Sequence, residues 1–249
     1  MSRPAPFATA TMVQAKTELR LTARRYENVL AIVVIPTVVL VFFSTTALVT
    51  VPGGRAVDFL VPGSLALAVV ATGLVNLGIA TAYERLYGVL KRLGGSPLST
   101  RGLVAAKLLS VALIVVLQVV LLLAVAAVAL DWRPGPGSSP AAASLALVLG
   151  TTAFAGLGLL MAGTLRAEAT LALANGLFIA ALLLGGIVVP TDHLPAPVTA
   201  VADVLPAAAL SGALRIALGG AGEIGPPLAV LAVWSVAAVA LTVRTFRWE

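Results

Sequence analysis

The sequence predicts an all-α integral membrane protein with six transmembrane helices, an amphipathic interfacial helix ahead of the first, and short outer helices between the fifth and sixth. Three observations predict it. Hydrophobic residues fill 60% of the 249 positions and charged residues only 10%, where a soluble domain carries about 25% charged residues. The mean hydropathy is +1.08. Charged and turn-forming residues then divide the chain into apolar stretches near the roughly 20 residues that a span requires.

The N-terminal segment, residues 1–27, includes "FATATMVQAKTELRLTARRYEN", where Met12, Leu19 and Tyr26 recur near helical spacing among basic residues. This reads as an interfacial helix whose cations meet anionic headgroups, with a cytoplasmic helix or loose tail as the alternative. It lacks the apolar core of a secretory signal, so the first span, 28–51, is expected to stay in the mature protein. Pro36 in that span removes a backbone donor and predicts a kink. The second span covers 59–82, a charged connector 83–102, and the third span 103–130. "PGPGSSP" is loop. The fourth span, 141–165, is rich in Gly and Ala, and Gly158 with Ala162 forms a small-xxx-small pair that permits close helix approach.

The fifth span covers 169–190. Residues 191–226 are apolar but broken by Asp203, Pro206 and Arg215, which predicts two short helices at or dipping into the outer interface. Pro195, Pro197 and Pro206 stand near their starts or breaks. The sixth span is 227–245. No soluble domain is visible, so residues 1–249 read as one transmembrane domain.

Six crossings put both termini on one side. Of the 16 Lys and Arg residues, thirteen fall on the face shared by the N-terminal segment, the connector through Lys107, Arg166 and the C-terminus. Arg55, Arg133 and Arg215 fall on the other. The basic bias marks the first face as cytoplasmic. The net charge of +6 is thus an orientation signal, and no nucleic-acid partner is implied, since that needs a concentrated basic surface outside the bilayer. With no cysteine, the chain forms no disulfide and does no thiolate chemistry.

The connector holds the most information. Leu86, Leu90 and Leu93 lie at i, i+4 and i+7, one apolar stripe of a short helix, while Arg85, Gly88 and Arg92 fall on another face. A Gly-Gly-Ser-Pro stop follows, and Ser99 is placed to cap the third span's helix. Two readings stay open on physics alone: an amphipathic helix that presses on a soluble partner, or a solvated loop whose charges only enforce topology.

"YERLYGVLKRLGGSPLSTRGLVAAKLLS", Tyr83 to Ser110, resembles the connector between the second and third spans of ABC-2 type transporter permeases. Their pattern runs Glu-Arg-x-x-Gly-x-Leu-x-x-Leu-x-x-(Ser/Thr)-Pro-Leu-Ser, with a Lys opening the next helix. The matching positions are Glu84, Arg85, Gly88, Leu90, Leu93, Ser96, Pro97, Leu98, Ser99 and Lys107. Leu194-Pro195, Leu205-Pro206 and Arg215 follow the order of the family's outer segment, with Leu205 in place of the family's Asn.

The resemblance implies the membrane-spanning subunit of a bacterial drug or lipid ABC exporter of the daunorubicin-resistance kind, in the plasma membrane. It implies two copies of a separate ATPase that carry ATP and Mg, a second permease copy, identical or related, and a hydrophobic or amphipathic cargo. The connector helix becomes the coupling helix, seated in a groove of the ATPase. Glu84, Arg85, Gly88, Leu90, Lys91, Leu93 and Pro97 serve that joint, Glu84 through charged contacts and Gly88 by allowing close approach. The family's second and fifth spans line the pathway, which singles out Asn76, Asn175 and Phe178; the alternative for the two Asn residues is a helix-packing hydrogen bond. Leu182, Leu183 and Leu184 are expected either to plug the outer end or to face lipid.

No Gly-Lys pair occurs in the chain, so the P-loop that cradles phosphates belongs to another polypeptide. No HExxH, clustered carboxylates or Cys/His set predicts a metal or a bound cofactor. Catalysis on lipids would need a nucleophile or an acid/base pair, and His193 beside Asp192 is the one candidate half-dyad. A secondary transporter predicts internal repeats, which the halves do not display. A non-transporting membrane anchor is the remaining alternative. The chain is therefore expected to be a transport subunit and not an enzyme.

Overall fold

The computed structural model describes residues 6–24, 26–46, 54–188 and 195–248, at 26–32 and 196 for the backbone alone. The described residues are helical throughout, joined by short turns. In chain order they form α1 (Phe7–Arg24), α2 (Tyr26–Thr45), α3 (Ala56–Leu86), α4 (Val89–Gly94), α5 (Thr100–Ala129), α6 (Pro140–Thr164), α7 (Ala167–Leu184), α8 (Ala196–Ala202), α9 (Pro206–Ala217) and α10 (Gly225–Thr245). Five of them, α3, α5, α6, α7 and α10, are long and apolar enough to cross a membrane. In α2 the apolar stretch with described side chains is the shorter Val33–Thr45.

Local chemistry sets the ends. Ser99 accepts a hydrogen bond from the Gly102 amide at 3.2 Å and starts α5, as its position predicted. Ser139 accepts one from the Ala142 amide and starts α6, with Pro140 in the first turn, where its missing N–H costs nothing. Pro206 likewise stands in the first turn of α9.

The core sits around α3, in which every residue from Phe59 to Val70 is buried. That helix packs on α2, α5, α6 and α9. Against α6 the approach is close because side chains are absent: a Cβ on Gly158 would lie 2.5 Å from the Gly73 carbonyl oxygen and 3.0 Å from that of Leu74. The predicted small-residue pairing is therefore a real contact surface, and Ala162 is fully buried one turn further on. Within α3 the segment Ala71–Asn76 is a π-helix. Its Thr72 hydroxyl donates to Gln118 Oε1 on α5 at 2.9 Å, in a buried pair.

By contrast, α5, α7 and α10 expose many of their apolar side chains, among them Val116, Leu117, Leu173 and Val236. Such surface on long apolar helices is what a bilayer solvates.

The two ends of the bundle are distinct. At one end lie α1, the segment 87–99, the α6–α7 turn and the C-terminal residues: Arg247 N donates to the Gly163 carbonyl, and Trp248 Nε1 donates to Thr100 Oγ1 at 3.1 Å. Both ends of the described chain thus meet on one side. At the other end Arg55 donates to the carbonyls of Leu130 and Asp131 at 2.9 and 3.3 Å.

Two sequence expectations need correction. Helix α3 runs to Leu86, past the expected end at 82, and the chain turns at Tyr87–Gly88 before α4, so Glu84 to Leu93 is not one helix. Gly88 takes φ +70 there, a conformation that costs any residue with a Cβ. The expected stripe of Leu86, Leu90 and Leu93 is accordingly split: Leu86 is exposed, Leu93 half-buried and Leu90 fully buried. The described part of the segment before the last long helix, 195–224, does contain two short helices, α8 and α9, and the second is packed into the core through Leu210 and Leu214. His193 and Asp192 lie outside the described residues.

Candidate functional site

The chemistry gathers where α1, α3 and α5 meet. Lys107 sits two turns into α5 with 1% exposure. Its Nζ lies 2.8 Å from Glu84 Oε2 on the last turns of α3 and 3.0 Å from Glu18 Oε2 on α1. Gln14 holds the other oxygen of Glu18 at 2.7 Å. A lone buried charge is costly unless it is paired and hydrogen-bonded, and here one cation is bracketed by two anions.

Sequence reasoning counted Lys107 among the topology-setting charges and assigned Glu84 outward; it missed Glu18 entirely. A signal was present. Lys107 is the only charged residue between Arg101 and Asp131, and a cation inside an apolar helix requires a partner. Glu84 is the only acid between Asp58 and Asp131, which made it the first candidate.

Beside this triad lies a small cleft of about 30 Å³, whose lining includes Glu18, Thr72, Asn76, Glu84, Lys107 and Ser110 together with apolar side chains. It has room for one or two waters (roughly 10–15 Å³ of such volume suffices for one). The structure thus brings Asn76, from the expected pathway set, together with the triad. Asn175 is elsewhere: it is exposed on α7 and donates to the Leu171 carbonyl at 2.9 Å. Phe178 is half-buried and packs on the core, as does Leu182, while Leu183 is exposed and Leu184 is half-buried.

The other connector residues divide into two groups. Arg85 donates to the Leu165 carbonyl and so ties α3 to the end of α6. Leu90 is enclosed, and Gly94 is exposed beside the Trp248 ring, which a Cβ there would meet at 3.3 Å. Tyr87, Val89, Lys91, Arg92 and Pro97 are exposed. The result is a short, braced projection with an apolar-and-basic outer surface. Among the described residues, no group of three or more His, Cys, Asp or Glu side chains gathers as a metal site would require.

A bundle of long apolar helices with a buried ion triad and a braced projection at one end defines a multi-pass membrane protein. The chain belongs to the ABC-2 type transporter family, whose sequence profile matches residues 9–218. It is thus a membrane transport protein. Among curated proteins none matches it.

Proposed function

We propose that this chain is the permease subunit of an ATP-binding cassette exporter, non-catalytic itself, moving a hydrophobic or amphipathic cargo, drug or lipid, outward. A separate ATPase in two copies supplies ATP and Mg. The observation that carries the reading is the projection formed by Tyr87 to Pro97, hung between the two longest helices, α3 and α5, and exposing Tyr87, Val89, Lys91 and Arg92. A push on it reaches α3 at Leu86 through one left-handed residue. From there Glu84 passes the displacement to Lys107 on α5 and Glu18 on α1, so three helices move together.

In this reading α2 is the first of six crossings, α1 lies at the inner interface, both termini are cytoplasmic and α9 belongs to the outer rim, in a bacterial plasma membrane. Helix α7 faces a second permease copy, identical or related. Its exposed Asn175, with Leu171 and Leu173 exposed nearby, supports that placement. Asn76, at the cleft on α3, is the second polar residue assigned to the pathway. Phe178 lies beside that pathway, and Leu182 to Leu184 close its outer end. Glu84, Arg85, Gly88, Leu90 and Leu93 shape the coupling projection from within, while Lys91 and Pro97 meet the ATPase.

Affinity purification of the full chain from its native membranes tests this. A P-loop ATPase should accompany the wild type and be lost from a Lys91→Glu/Arg92→Glu variant whose melting behaviour is unchanged. Absence of any ATPase from intact complexes overturns the proposal.

A further inference from the structure

The three basic residues that depart from the charge bias converge on one cavity. Arg55 leads into α3, Arg133 follows α5, and Arg215 lies in the last turn of α9. All three line a cavity of about 480 Å³ at the end of the bundle opposite α4. Small-ligand sites run from roughly 300 to 1,000 Å³. Among the described residues of its lining, Asp58 is the one acid beside the three arginines.

The site is built from fixed parts. The Arg215 guanidinium lies 4.2 Å over the Phe59 ring and donates to the Gly186 carbonyl at 2.7 Å. Arg55 is anchored by the carbonyls of Leu130 and Asp131. Backbone oxygens thus orient both guanidiniums at the cavity wall. The wall between α5 and α9 is stapled by backbone: Gly135 N donates to the Leu218 carbonyl at 2.9 Å and Ser139 N to that of Ala217 at 2.8 Å. Trp132, buried to 4% exposure, closes the apolar side.

Guanidinium groups match the oxygens of a phosphate with forked donors. The cavity also lies where long apolar helices end, the level of lipid headgroups. We propose that it binds the phosphate of an anionic phospholipid in the leaflet opposite α4, the outer one under the topology proposed above. A lining with three arginines favours an anionic headgroup over a zwitterionic one, whose own cation they repel.

The test uses the full chain in nanodiscs holding phosphatidylglycerol and phosphatidylcholine in equal amounts, released and weighed by native mass spectrometry. The wild type should retain phosphatidylglycerol in preference. Arg133→Gln, at an exposed position, should lose one bound phosphatidylglycerol per chain. Asp58→Asn should shift the effect the other way, retaining the lipid at a lower mole fraction, a gain that misfolding does not mimic. A parallel arm adds inorganic phosphate. If phosphate occupies the site and phosphatidylglycerol does not, the ligand is a free anion and the lipid assignment is overturned. Equal retention by wild type and both variants also overturns it. No ATPase is needed, so the outcome is independent of the exporter reading.

Discussion

The ammonium of Lys107 lies 2.8 Å from the carboxylate of Glu84, joining the early turns of one long helix to the last turns of another inside the protein. Glu18 closes the opposite side at 3.0 Å. The stability of this junction depends on the whole set of charges, because each member is held away from bulk water.

Lys107→Met should therefore leave two carboxylates facing each other and destabilise the chain by about 3–5 kcal/mol, the range for breaking a buried pair. Adding Glu18→Gln and Glu84→Gln to the same chain should restore much of the loss, since the charges are then removed together. Glu84→Lys, which sets two ammonium groups in contact, should be at least as damaging as Lys107→Met. Thermal unfolding of the purified chain in detergent reads all of these, and equal melting temperatures for wild type and Lys107→Met would refute the buried pairing.

The contact between α3 and α6 makes a second, opposite-signed pair of expectations. Gly158→Ala puts a Cβ 2.5 Å from the Gly73 carbonyl oxygen, and neither backbone can yield without moving a helix. Overpacking of this kind costs roughly 1–3 kcal/mol. Gly176→Ala meets nothing within 4 Å and should be neutral, or gain up to about 1 kcal/mol from helix propensity. The two single substitutions, compared in one melting series, separate steric contact from a general dislike of added methyls.

Gly88 is different again, because space around it is open and only its φ of +70 is demanding. Gly88→Ala should cost about 1–2 kcal/mol locally, and Gly88→Asn less. Hydrogen exchange in residues 87–95 should quicken in proportion to those costs while the amides of α3 stay protected. Uniform quickening along α3 would mean that the turn is not an independent hinge.

Much of the fold was legible because bilayer-spanning helices announce themselves by length and hydropathy. The start of α5 was readable from Ser99, whose chemistry is local, whereas Ser139 and Pro140 read as loop and in the structure cap and open α6. The junction around Lys107 was not, since it joins residues 23 and 89 positions apart and its members look like ordinary topology charges one at a time. The split of the Leu86, Leu90 and Leu93 stripe was hidden for another reason: a single left-handed glycine resets the helix, and leucine spacing alone carries no record of it. Asn76 and Asn175 looked alike in sequence, and only packing separates the cleft from the exposed face of α7.

The π-helical segment has a consequence for how insertions and deletions act on this chain. Gly73 and Gly78 both press on α6, the first at Phe154 and Ala155 and the second at Gly158, although they stand five positions apart. An uninterrupted α-helix brings positions four apart onto one face, so the extra residue is absorbed by the wider turn between them. Deleting Val75 would leave Gly-x-x-x-Gly and keep both glycines on α6 with an ordinary helix between them. Deleting Ala66, in the regular part of the same helix, would rotate one half against the other by about 100°. The first deletion should be the better tolerated in membrane expression and melting, which makes this turn the place in α3 where chain length can change by one residue without unseating the helix from its neighbour.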